Sequence, residues 1–149
     1  MTFRVRFAVP GEPRGKGSVR TSVIGKKKPQ ARTFTDPATR KAMDRIQDAA
    51  VRAMEAESLD PCQGPLTVGL YVYRAKGRPT SKIGKDRAEA DQIRPVTKPD
   101  LDNYSKAALD AMNGVCYRDD AQVVRLVVEK RFSERPRMEI VVQEWEPRT

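Results

Sequence analysis

The sequence predicts a single α+β domain (α/β mixed) with the order βαβαββ, in which a mixed β-sheet carries two main helices. Three observations predict it. Alternation of apolar and polar residues with a period of two recurs in four stretches. Two segments with helical spacing lie between them. And 149 residues is one domain's worth of chain, enough to bury one core. The core is expected to be thin. Hydrophobic residues make up 38% and charged residues 33%, against about 45–50% and ~25% in ordinary globular domains.

Phe3, Val5, Phe7 and Val9 alternate with Arg4, Arg6 and Ala8, which predicts a half-buried strand. Residues 10–33 read as a basic loop containing a short hairpin over Ser18–Ile24 and Gln30–Phe34. Thr35-Asp36-Pro37 is a helix start, with Asp36 as cap and Pro37 in the first turn. The helix runs to about Glu57 on a stripe of Ala42, Ile46, Ala49, Ala50 and Ala53. Pro61 and Gly64-Pro65 break the chain, and Leu66, Val68, Leu70 and Val72 give a second strand to about Arg74. A second basic loop spans about 75–98. Leu101, Tyr104, Ala108, Ala111 and Met112 have helical spacing, stopped by Asn113-Gly114. Val123 to Phe132 is a strongly apolar strand, Ser133–Pro136 turns the chain, and Met138, Ile140 and Val142 make a last strand that closes a hairpin.

Two absences narrow the chemistry. There is no histidine, which excludes a Ser–His–Asp triad, a His general base and His-ligated zinc. Cys62 and Cys116 are the two cysteines. They can neither close a four-ligand zinc site nor build a disulfide framework, so they read as reduced thiols in a cytoplasmic protein, Cys116 as a small apolar filler. The opening MTFRVRFAVPGEP lacks the apolar core of a signal peptide, and no apolar stretch approaches membrane-spanning length. Gly11 to Ser18 misses the spacing of a phosphate-binding P-loop, so no nucleotide cofactor is expected.

The net charge of +9 is unevenly spread. Residues 1–35 hold nine Lys/Arg against one acid, and residues 74–98 hold eight against three; the remaining two segments are each net −2. Basic, Gly- and Pro-rich segments beside an acidic region suit a binder of phosphate backbones. The candidate phosphate contacts are Arg14, Lys16, Arg20, Lys26, Lys27 and Lys28 in the first segment and Lys82, Lys85 and Lys98 in the second.

The acidic stretch is KPDLDNYSKAALDAMNGVCYRDDAQVV, residues 98–124. Pro99 disfavours helix at Lys98, so Asp100 is expected just before the helix and Asp102 in its first turn, with Lys106 and Asp110 following at intervals of four on one face. Asp120 shares a strand face with Gln122 by period two. Asp119 points the other way unless a bulge intervenes, and is a candidate fourth member. The loop Gly114–Arg118 is short enough to return the chain beside the helix, and we expect Asp100, Asp102 and Asp120 to meet. Three such carboxylates repel one another. A hard divalent ion with oxygen ligands, Mg2+ or Mn2+ in its place, relieves that repulsion and activates water against a phosphate, with Lys106 as a second cation at the site.

This stretch resembles the signature of the RusA family of Holliday junction resolvases. The matching residues are Lys98, Pro99, Asp100, Asp102, Asn103, Lys106, Asp110, Ala111, Gly114, Asp119, Asp120, Gln122 and Val123, with Lys130 at the family's distance beyond. The opening is similar too, through Gly11, Pro13, Lys16, Gly17 and Arg20, then Phe34, Asp36, Pro37 and Thr39; Ser18-Val19-Arg20 departs from the usual Arg-Pro-Arg. The resemblance implies a RusA-like fold and a homodimeric, Mg2+-dependent endodeoxyribonuclease of phage or prophage type. Such enzymes resolve four-way DNA junctions with paired symmetric nicks. It places the essential acids at Asp100, Asp102 and Asp120 and the essential lysine at Lys106, and it adds Lys130 to the candidate DNA contacts. Two rivals stay open on the residues alone. One is a metal-dependent nucleotidyltransferase, which would usually carry a Gly-Ser helix where Lys98-Pro99 stands. The other is a nucleic-acid-binding module without catalysis, its acids serving as caps.

Overall fold

The computed structural model describes residues 2–15, 36–75, 84, 86–87 and 91–148, and the backbone of Arg20–Ile24 and Gln30–Phe34. The elements are β1 (Arg4–Pro10), β2 (Arg20–Ile24), β3 (Gln30–Phe34), α1 (Pro37–Ala56), β4 (Leu66–Ala75), α2 (Leu101–Met112), β5 (Val123–Ser133) and β6 (Arg137–Glu144). β1, β6, β4 and β5 form one mixed sheet in that order, and β2 and β3 pair antiparallel in the expected short hairpin. The α+β class, the two helices and the single domain are as predicted.

One connection differs. β5 and β6 are joined by only Glu134–Pro136, yet they do not pair. β4 lies between them, parallel to β5 and antiparallel to β6. The predicted closing hairpin is therefore a step across the end of β4. The cause is the apolar weight of β4. Its Leu66, Val68, Leu70 and Val72 are all fully buried, and a strand so deeply placed must have its backbone polar groups bonded along both edges.

Both helices lie on one face of the sheet. That face presents Val5 and Val9 from β1, the four apolar residues of β4, and Met138, Ile140 and Val142 from β6, all buried. α1 packs on β1 and α2, and α2 also meets β5. α1 buries Ile46, Ala50 and Met54, with Ala49 and Ala53 partly covered. α2 buries Tyr104, Ser105, Ala107, Ala108, Ala111 and Met112. Its Leu101 is 40% exposed, because the first turn projects beyond the core. Val124 is 58% exposed beside an irregularity at the start of the β4–β5 ladder. No helix among the described residues is long and apolar enough to cross a membrane.

Asp36 caps α1 as its sequence position predicts. Its carboxylate accepts from the amides of Ala38 and Thr39 at 2.9 and 3.1 Å and from the Thr39 hydroxyl at 2.5 Å. The Thr39 hydroxyl bond, first among these, holds the carboxyl below its ordinary value of 3.8. The stability it adds is thus present above that value and lost as pH falls through the lower, folded one. We predict that Asp36→Ala lowers unfolding free energy by about 1 kcal/mol and Asp36→Asn by much less. Urea denaturation at pH 7 and at successively lower pH checks both the loss and its decline in acid.

Candidate active site

The acidic stretch occupies both ends of α2. At the N-terminal end Asp100 holds the cap position in extended backbone (φ −71, ψ 160), and its carbonyl accepts from the amides of Asn103 and Tyr104. Its carboxylate makes no capping bond, which leaves it free for other work. Asp102 stands in the first turn, where the helix dipole favours negative charge. Lys106 is one turn on, its Nζ 3.8 Å from Asp102 Oδ2, with side chains 62% and 67% exposed. Such a pair contributes well under about 1 kcal/mol to stability. Its placement in solvent is that of groups meeting a large substrate.

The approach to Asp100 is tightly held. Arg74, near the end of β4, donates through Nη1 to Thr97 Oγ1 at 2.9 Å, to Lys98 O at 3.1 Å and to Thr97 O at 3.3 Å. Glu12 lies 3.6 Å from Arg74 Nε and accepts the Ala75 amide at 2.9 Å. Lys130, on β5, donates to Thr97 O at 3.1 Å and Pro99 O at 3.3 Å. Gly15 passes against the same turn. A Cβ there would lie 2.8 Å from Pro99 Cβ and 3.1 Å from Asn103 Cβ. The absence of a side chain is what lets the backbone at Gly15 pass against Pro99 and Asn103.

At the C-terminal end the chain turns tightly, Gly114 adopting φ +76 and donating to Tyr117 O at 2.8 Å. Asp120 follows in a single 3-10 turn, Asp120–Gln122, which Asp119 caps. The Asp120 amide donates to Asn113 Oδ1 at 3.0 Å. Gln122 is a hub: its Nε2 donates to Cys62 O and Gly64 O, both at 2.9 Å, while its Oε1 accepts the Arg118 and Asp119 amides. Cys116 is fully buried, and burial pushes its thiol up to about 12, as a filler and not a nucleophile. Tyr117 is buried below it and donates to Leu109 O at 2.6 Å.

The chain therefore brings Asp100, Asp102 and Lys106 together and sets Asp119 and Asp120 apart. Residues 102 and 113 are separated by roughly 16 Å of helix at ~1.5 Å per residue, and Asp120 is tied to Asn113. Among the described residues no three of Asp, Glu and Cys stand close enough to hold one metal ion. The expected meeting of Asp120 with Asp100 and Asp102 does not occur within one chain. The Gly114–Tyr117 turn returns the strand to the near end of the helix and no further.

Among the candidate phosphate contacts, Arg14 and Lys98 are exposed, and Lys130 is committed to carbonyls. Lys16, Lys26, Lys27, Lys28, Lys82 and Lys85 and the side chain of Arg20 lie outside the described residues. The sequence reading missed Arg74 and Glu12. It also missed the sheet face opposite the helices, where Arg4, Arg6, Arg125 and Arg131 stand around Tyr71 and Tyr73 in a cleft of about 450 Å³. The signal there was legible as cations alternating with core residues on β1.

A small basic α+β protein with a solvent-facing Asp-Asp-Lys group at a helix start has the furniture of a phosphodiester-cutting enzyme. The family of the endodeoxyribonuclease RusA matches residues 10–143. The chain belongs to that family, whose members are nucleases of Holliday junctions. A relative, the uncharacterized protein YqaN of Bacillus subtilis (strain 168), is 39% identical over 142 residues, covering 94% of this chain and 96% of its own length.

Asp119 and Asp120 carry a testable electrostatic cost. Asp119 bonds to Asp120 and disfavours its charge, raising the Asp120 carboxyl above 3.8; partial burial and the charges of Asp119 and Asp110 add to this. The same bond lowers Asp119. A raised acid stabilises the fold only below its unfolded pKa, and that contribution is lost as pH rises through the folded value. We therefore expect Asp120→Asn to raise the melting temperature at pH 7 and to leave it unchanged or lower at pH 3, as read by thermal denaturation without divalent ions.

Proposed function

We propose that this protein is a Mg2+-dependent, homodimeric endodeoxyribonuclease that resolves four-way DNA junctions by paired symmetric nicks, in recombination and repair. The family match over residues 10–143 carries this reading. The exposed Asp100–Asp102–Lys106 end, with Gly15 packed against the turn that precedes it, supports it. The two absences in the sequence support it as well, since carboxylates and amines are what remain for phosphodiester chemistry.

Among the described residues, the donor set of one chain does not fit a single ion. A second copy changes the count. A twofold axis perpendicular to α2 sets the two copies of that helix antiparallel, so Asp100 and Asp102 of one chain face the partner's Asp120. Closed twofold symmetry then repeats the pairing, giving two equivalent sites for a substrate that is itself twofold. Mg2+, with Mn2+ as a substitute, is the ion suited to such all-oxygen donors. Lys106 supplies positive charge toward the scissile phosphate.

A cleavage assay on synthetic four-way junctions, flaps and linear duplex, with and without Mg2+, tests the activity. Paired nicks on the junction that require the metal are expected. Asp102→Asn should abolish cutting while junction binding persists. Mixing Asp102→Asn chains with Asp120→Asn chains, each inert alone, should restore single nicks at roughly a quarter of the wild-type rate, because half of the dimers are mixed and each of those has one intact site. No activity on mixing would show that each chain's acids act alone.

A further inference from the structure

We infer that Arg74, Lys130 and Glu12 are positioning residues that clamp the Thr97–Pro99 turn and so aim Asp100 and Asp102 at the substrate; this rests on the nuclease reading above. Arg74 follows Leu66, Val68, Leu70 and Val72 in the alternation of β4, and Lys130 follows Leu126 and Val128 on β5, paired beside Val72. Both cations thus stand on the helix side of the sheet, where an apolar side chain is the rule and an unpartnered charge is costly. Their partners are the backbone carbonyls of Thr97, Lys98 and Pro99. Those carbonyls belong to no helix or strand of the fold. The residue after them is Asp100.

Glu12 completes the arrangement from the other side. One of its carboxylate oxygens faces Arg74 Nε and the other accepts the Ala75 amide, so the guanidinium is held at the end of its strand. Glu12 also lies three residues before Gly15, the point where the first basic segment touches Pro99 and Asn103. The clamp therefore ties the acids, the sheet and the root of that segment into one unit. Lys130 has three donors on its ammonium and spends two on this turn, which is the behaviour of a brace and not of a phosphate contact. Misplacement of a reacting group by about 1 Å can cost ~100-fold in rate.

The test uses the full chain with Lys130→Met, Lys130→Arg and Glu12→Gln. Three quantities are read: kcat on a four-way junction at saturating DNA and Mg2+, the junction Kd over a range of salt without metal, and hydrogen exchange across residues 97–104. Lys130→Met and Glu12→Gln are expected to lower kcat by about 10- to 100-fold. Kd should stay within about twofold with an unchanged salt slope, and amides of 97–104 should exchange at least about tenfold faster, the rest of the chain exchanging as before. Lys130→Arg should recover most of the rate. A weaker Kd with a slope shallower by about 0.9 would make Lys130 a phosphate contact and overturn the clamp, as would unchanged exchange in 97–104 or a wild-type kcat. Failure of the wild-type chain to cut any branched DNA would overturn the nuclease reading and the clamp's role with it, and is seen before any variant is made.

Discussion

Parallel pairing of β4 with β5 governs the geometry of everything else. Two parallel neighbours cannot be joined by a tight turn; the chain must cross over the sheet and start again at the far end. α2 is that crossover. It begins where β4 ends, beside Arg74, and finishes where β5 begins, beside Asp120. Residues immediately before and after such a helix lie at opposite ends of the sheet. The separation of Asp100 and Asp102 from Asp119 and Asp120 is thus a consequence of topology. No adjustment of the five-residue turn Gly114–Arg118 could remove it while β4 and β5 remain parallel.

Most elements were legible because they follow local rules. Asp36 and Pro37 announce α1, alternation announces β1 and β4, and Asn113-Gly114 ends α2 where the structure ends it. Even the β2–β3 hairpin could be placed. What sequence could not supply was which strands are neighbours. A three-residue connection between two strands is ordinarily a hairpin, and only the demand of β4 for partners on both edges overrides it. The expectation that Asp120 meets Asp100 failed for the same reason: loop length limits how far the chain can return, and the direction of return is set by strand order. The clamp was hidden because Arg74 and Lys130 bind backbone carbonyls, which have no residue identity to read.

The residues of the acidic stretch divide by physical task. Asp100, Asp102 and Lys106 are exposed and bear charge; Asn113 and Gln122 satisfy backbone groups and bear none. Gln122 joins the turn before β5 to the chain around Cys62 and Gly64, just ahead of β4, so it fixes the two parallel strands at their common start. Asn113 seats Asp120 against the helix end. A motif that looks like a run of chemistry is therefore half scaffold, and the scaffold half is what holds two acidic groups at a constant distance along a rigid helix.

The proposed pairing with a second copy rests on that constant distance. Asp119 and Asp120 hold a pair of carboxyls close enough to disturb each other's protonation, which a folded chain tolerates at a cost when a cation or substrate group is to be met there. Asp100 and Asp102 place two more carboxylates at the other end of the helix, with the Lys106 ammonium 3.8 Å from Asp102. In the proposed dimer, an antiparallel copy would bring the acids of opposite ends together by a single symmetry operation, and a divalent cation held there would offset their repulsion. The antiparallel orientation is the one that would unite Asp100 and Asp102 with the partner's Asp120, and it carries the twofold symmetry that the arms of a symmetric DNA branch would also require.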